Sequence, residues 1–296
     1  MVTTTLSPVT PGRLERSCGS SPNDWIRFAP SRPGLERIEA VFGGYAFDPH
    51  RHDTYAIGYT VDGVQSFDYR GARCDSTKGQ VIVLHPDEVH DGRAGASGGF
   101  RYRLLYIEPH LIRHALGHEA GPLPFVRSPV LRNAPLMTAL RSALDDLDHE
   151  LDELATDRAV LAIAEALCAL DTSIAKKPLS ATCATSVERA RQFLDAHYDR
   201  VVASAELEAL TGLDRYVLAR HFRATLGTSP YRYLTLRRLD KARSMMRAGR
   251  SLARSALACG FSDQSHMTRQ FKQAYGLSPS RWRATWQAAT GNPAAR

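Results

Sequence analysis

The chain has 296 residues, 43% hydrophobic and 23% charged, ordinary proportions for a soluble globular protein long enough for two domains. No apolar run reaches the length of a membrane span, and five scattered cysteines with no CxxC pair argue against a disulfide framework or a zinc site and for a reducing cytoplasm. The net charge of +7 is uneven: residues 181–296 carry 19 Lys and Arg against 8 Asp and Glu, whereas residues 1–180 carry 19 against 23. An acidic body with a basic C-terminal third is the electrostatic footprint of a nucleic-acid-binding domain.

The first 34 residues, rich in Ser, Pro, Gly and Arg, read as irregular, and no basic stretch with an apolar core marks a secretory signal. Residues 35–110 carry strand signals. The run YAIGYTVDGVQSFDYRG alternates around Asp62-Gly63, which predicts a hairpin there. GQVIVLHP and FRYRLLYIEP are further strands, so a small antiparallel barrel or sandwich is expected. From Pro135 the period lengthens. Leu136, Leu140, Leu144, Leu147, Leu151 and Leu154 recur every three or four residues, predicting one or two amphipathic helices within 111–171. Their stripe suits packing on the barrel, a dimer seam, or both. Residues 172–186 are small and polar and read as a linker.

Everything beyond the linker reads as helical, and it contains a repeat. DRYVLARHFRATLGTSPYRY from Asp214 and DQSHMTRQFKQAYGLSPSRW from Asp263 are offset by 49 residues. Asp, Arg, Phe, Gly, Ser and Pro recur at 214, 220, 222, 227, 229 and 230, and again at 263, 269, 271, 276, 278 and 279. Each unit follows a short helical stretch and a glycine, at Gly212 and Gly260, which is the pattern of a helix-turn-helix. Helical geometry turns Leu218, Phe222, Met267 and Phe271 inward. It turns Tyr216, Arg220, Arg223, Ser265, Arg269 and Lys272 outward, so each unit presents an arginine at the same place. Arginine reads guanine bidentately or grips phosphate, and Gln264, Ser265 and Thr268 offer hydrogen bonds to base edges. The stretch from Ser229 to Gly249 predicts a connecting helix that holds both units on one face of the duplex, with Arg232, Arg237, Arg238 and Lys241 reaching phosphate or solvent.

These segments resemble the DNA-binding half of the AraC/XylS family of bacterial transcription regulators, over about Ser186 to Trp286. The second unit is the more specific, from Gly260 to Lys272 and from Gly276 to Arg283. In the first unit Glu208 stands where the family has a small alanine, which predicts looser packing there. Carried over by position, the resemblance places base contacts on Tyr216, Ala219, Arg220, Gln264, Ser265, Thr268 and Arg269. Ile38 to Ile107 resembles the family's cupin-type effector-binding domain, which implies a barrel with a small-molecule pocket followed by dimerisation helices. His50, His52, Tyr55, Tyr59 and His90 are candidate effector-binding residues.

Cupin enzymes add a Glu to such histidines to hold iron or manganese. Ala56 and Ile57 stand where it would fall, so hydrogen-bonding or effector roles are favoured, with no metal and no cofactor expected. No GxSxG, P-loop or HExxH is present.

The fold class expected is therefore α+β multidomain: a cupin-like barrel over 35–110, helices over 111–171, a double helix-turn-helix domain over 187–286 and a tail over 287–296. The function expected is that of a cytoplasmic, nucleoid-associated, homodimeric regulator, most simply an activator. Its expected partners are promoter DNA through the major groove, a small-molecule effector and RNA polymerase, with no membrane. A metal-dependent cupin enzyme with a basic appendage is the alternative, and a low-specificity architectural DNA binder is a third reading.

Overall fold

A computed structural model of the chain describes residues 24–30, 32–117, 122–172 and 181–290. Most of the segment read as irregular, the middle of the expected linker and the end of the expected tail lie outside the described residues.

The N-terminal domain runs β1 (Trp25–Phe28), β2 (Leu35–Phe42), β3 (Tyr45–His50), β4 (Tyr55–Tyr69), β5 (Ala72–Thr77), β6 (Val81–Leu84), β7 (His90–Ala94), β8 (Phe100–Ile107), α1 (Pro109–Ala115), β9 (Val130–Leu131), α2 (Ala134–Leu144) and α3 (Glu153–Leu170). One sheet has the order β1-β2-β8-β4-β6-β9 and a second the order β3-β7-β4-β5. All named pairings are antiparallel. β1, which lies inside the segment expected to be irregular, pairs with β2.

The long β4 belongs to both sheets, and this corrects the predicted hairpin. The chain does not turn at Asp62-Gly63. The register against β8 slips between Thr60 and Asp62, and Gly63 takes φ +73°. Asp-Gly here builds a bulge that bends one strand from the first sheet into the second. The turn comes later, at Arg70 (φ +52°) and Gly71 (φ +76°), between β4 and β5.

Strand alternation then sorts two cores. Ala56, Phe67, Ile82, Phe100, Tyr102 and Leu104 fill the barrel interior. Tyr55, Ile57, Tyr59, Val83, Leu105 and Ile107 face outward and pack on α1, α2 and α3. The leucine stripe is interrupted rather than continuous. Leu136, Leu140 and Leu144 are buried on α2 against the barrel, the chain leaves the helix after Leu144, and Leu154 on α3 is 81% exposed.

The C-terminal domain consists of α4 (Ala181–Ala196), α5 (Ser204–Thr211), α6 (Arg215–Leu226), α7 (Pro230–Arg247), α8 (Leu252–Ala258), α9 (Gln264–Tyr275) and α10 (Pro279–Thr290). Residues 181–186, expected in the linker, form the start of α4. Val187, Ala190, Leu194, Leu207, Leu218, Phe222 and Tyr233 make the core of the first unit. Leu239, Met246, Ala256, Phe261, Met267, Phe271 and Trp282 make that of the second. α7, 18 residues and about 27 Å long, contributes to both.

Candidate nucleic-acid interface and interdomain site

Both candidate reading helices are set by the same local chemistry. Asp214 accepts from the amides of Tyr216 and Val217, and Asp263 accepts from that of His266 (2.7 Å), so each side chain caps its helix start. Gly227 and Gly276 end α6 and α9 in the left-handed conformation at φ +75° and +67°. Glu208 does not loosen the first unit. Its carboxylate accepts from the Arg215 amide (2.9 Å) and tightens the turn between α5 and α6.

The inward set is sealed: Leu218 is 1% exposed, and Phe222, Met267 and Phe271 are fully buried. Tyr216, Arg220, Gln264, Ser265 and Arg269 are exposed, while Ala219, Thr268 and Lys272 are half-buried. Arg223 is exposed, but its guanidinium reaches across to Asp87 of the barrel domain (3.1 Å). All nine candidate DNA-contacting positions lie on these two helices, six of them exposed and three half-buried, and one of the exposed six, Arg223, is engaged by the N-terminal domain.

α7 departs from expectation. Arg232, Arg237 and Arg238 do not point at a duplex. Arg238 donates to the carbonyls of Tyr198 and Arg200 within its own domain. Arg232 donates to the carbonyl of Arg51 in the barrel domain. Arg237 pairs with half-buried Glu108 and with buried Asp53 (3.1 Å), both on the barrel side. Arg243, which sequence reasoning passed over, pairs with Glu36 and lies 5.2 Å over the Trp282 ring. Phe28 of β1 meets Trp282 edge to face at 6.1 Å.

The carboxylates respond to this clasp. Burial raises Asp53 to about 6 against the pull of Arg237. Burial also acts to raise Glu108, but Arg237 and His110 outweigh it and hold that group at about 2. No spacing signal could have revealed these partners, which lie more than a hundred positions apart in the chain.

A second seam runs along the end of α9. The Asp48 amide donates to the Gly276 carbonyl (3.4 Å) and the Arg51 amide to that of Gln273 (3.0 Å). Leu277 packs into the barrel-core cluster. Gly276 is required by proximity as well as by φ, because a Cβ there would lie 2.9 Å from both the Asp48 carbonyl oxygen and the His50 ring.

Between the domains lies a cavity of about 690 Å³. Phe28, Ile38, Tyr106 and Trp282 give it an apolar wall, and Glu108, Arg237 and their neighbours give it a charged one. Of the candidate effector residues, His50 and His52 line this cavity. His90 stands beside them, its ring 4.3 Å from that of His50 and 4.9 Å from that of His52. Tyr55 and Tyr59 are not brought there. They sit on the outward face of β4, their hydroxyls donating to the Pro124 carbonyl (2.7 Å) and to Asp145 (2.9 Å). The cavity opens from the barrel interior, where Ile38 and Tyr106 lie, to the junction with the second domain.

The three histidines are alike. Each Nδ1 meets a backbone carbonyl two residues away: His50 that of Asp48 (2.8 Å), His52 that of Thr54 (2.9 Å) and His90 that of Glu88 (3.0 Å). A carbonyl only accepts, so each Nδ1 carries the proton. Burial, with the neighbouring histidines adding to it for His50 and His52, pushes their pKa values down, that of His90 to about 4. All three rings are neutral at pH 7.

Comparison with known proteins agrees with this architecture. Residues 32–164 match the family model for the AraC-like ligand binding domain, and residues 207–285 match one for a helix-turn-helix domain. The chain is 26% identical over 223 residues to the uncharacterized HTH-type transcriptional regulator YbfI of Bacillus subtilis, covering 75% of this chain and 81% of that protein. It is 26% identical over 265 residues to the HTH-type transcriptional activator RhaS of Pectobacterium carotovorum, covering 85% and 93%. In fold it is similar to ToxT from Vibrio cholerae, with a TM-score of 0.62 at 12% identity over 86% of this chain and 99% of that one. With a ligand-binding domain of this type joined to two helix-turn-helix units, the chain belongs to the AraC family of transcriptional regulators.

Proposed function

We propose that the protein is an effector-responsive activator that works in the cytoplasm as a homodimer. It reads promoter DNA by inserting α6 and α9 into the major groove and contacts RNA polymerase. The observation that carries this reading is the pair of capped helices whose outward faces, Tyr216 and Arg220 on one and Gln264, Ser265 and Arg269 on the other, are exposed while the domains are docked. The effector occupies the interdomain cavity, where an apolar and a charged wall suit an amphipathic small molecule. ToxT, alike in fold, has been solved with an unsaturated fatty acid bound. Because the cavity is walled by both domains, a ligand there favours one arrangement of the helix-turn-helix pair over another.

Selection of sites by the full-length protein from a random DNA library at about 150 mM salt tests this directly. An enriched motif is expected, repeated at multiples of one helical turn. Binding without enrichment that vanishes as salt rises would refute sequence-specific reading.

A further inference from the structure

We propose that His50, His52 and His90 form a three-histidine binding site for a divalent zinc-class metal ion, with its fourth coordination position open to the interdomain cavity.

The geometry argues for it in three steps. One ring nitrogen from each histidine lies within 4.8 Å of those of the other two, and all three residues are buried. Because every Nδ1 donates to a carbonyl, the nitrogen left on each ring is Nε2, an acceptor with a free lone pair. Three neutral imidazoles therefore bring three lone pairs together with no donor among them. Locking the far ring nitrogen to a backbone carbonyl is also the arrangement that orients metal-bound histidines.

The second step is an unmet demand. His52 Nε2 is buried and has no hydrogen-bond partner. His85 shows the contrast within the same barrel: its Nδ1 meets the Tyr69 hydroxyl (3.1 Å) and its Nε2 accepts from the Val126 amide (3.0 Å). A histidine kept only for packing is satisfied at both nitrogens, as His85 is. His52 is not.

The third step is the choice of ion. Three imidazoles with no carboxylate suit zinc and its neighbours in the first transition row rather than magnesium or calcium. Bonds of about 2.0–2.1 Å in a tetrahedron bring the nitrogens to about 3.4 Å apart, so rotations that draw the rings in by about an ångström close the site. Neutral ligands leave the ion its full charge. An anion or water from the cavity, which His50 and His52 line, completes the shell. Arg232, the cation that acts on His50 and His52, is turned toward the Arg51 and Gln273 carbonyls.

Cobalt(II) titrated into the full-length, chelator-stripped protein tests the site. The expected result is a set of visible bands of tetrahedral cobalt that saturates at one equivalent, is displaced by zinc and shows no thiolate charge-transfer band. Thiocyanate is expected to shift the bands if the fourth position is open. His52→Gln and His90→Gln are expected to abolish them. In case those variants fold poorly, the proton spectrum of the wild-type cobalt form serves alone. Three solvent-exchangeable, paramagnetically shifted ring N–H signals are expected, one from each Nδ1. Absence of the bands, fewer than three such signals, or bands that survive both substitutions would overturn the proposal.

Discussion

Arg269 projects from the second turn of α9 with its side chain exposed, one helical turn beyond Ser265 on the face that carries the candidate base contacts. If it reads a base edge, Arg269→Ala costs about 1–3 kcal/mol on a selected site and relaxes preference at one position. If it grips phosphate, affinity for cognate and random DNA falls equally. Competition binding with both DNAs separates the two. Its counterpart Arg220 is exposed in the same way, whereas Arg223 is held by Asp87. Asp87 also pairs with Arg51 (3.6 Å), so Asp87→Asn is expected to change DNA affinity, and the part that runs through Arg223 is the part that disappears in an Arg223→Ala background. Single residues were legible where helix periodicity governs them. Leu218, Phe222, Met267 and Phe271 are buried as their spacing required. Tyr55 and Tyr59 were not, because alternation along a strand names two faces without saying which one the helices cover.

Among the elements, β4 shows how a local signal is answered differently by tertiary structure. Asp62-Gly63 is as good a turn sequence as any in the chain, and the left-handed glycine it offers is used. It is used for a bulge, because β8 pairs with the strand as far as Gly63 while β5 and β7 take up Val64–Tyr69, so the chain must continue rather than turn back. A Cβ at Gly63 would lie 2.1 Å from the Gly99 carbonyl oxygen. Gly63→Ala is expected to destabilise the barrel by about 3 kcal/mol or more, from positive φ and the backbone clash together. Gly71, at φ +76° with nothing within 4 Å of its added Cβ, is the control. Gly71→Asn is expected to cost no more than about 1 kcal/mol, since asparagine tolerates this conformation at a turn. Denaturant midpoints of the two variants decide it. The helix pairs, by contrast, were legible as elements: caps, glycine ends and the 49-residue repeat are all local.

At the scale of the molecule, the arginines of α7 take on another meaning. By composition they belong to a DNA-binding surface, and charge alone gave no way to tell a phosphate from a buried carboxylate on another domain. Arg237 sits between Asp53 and Glu108, with side chains 15%, 7% and 16% exposed. Such a cluster is weak evidence of stability, yet removing one member strands the others, typically at about 3–5 kcal/mol. Arg237→Met is therefore expected to undock the domains, turning one calorimetric unfolding transition into two and increasing the radius of gyration, while α6 and α9 still bind DNA. The acid limb follows from Glu108. Its folded value of about 2 lies below its ordinary 4.5, so its contribution is fully present above pH 4.5 and is lost as pH falls through 2. Glu108→Gln is expected to loosen docking at neutral pH and to remove that part of the acid dependence. A single transition at unchanged temperature in both variants would mean that the rest of the interface, Phe28, Trp282 and Leu277 among it, holds the domains together without Arg237 and Glu108. The effector cavity would then report to the DNA-binding helices through those apolar contacts together with the Arg243–Glu36 pair and the backbone bonds of Asp48 and Arg51 to the end of α9.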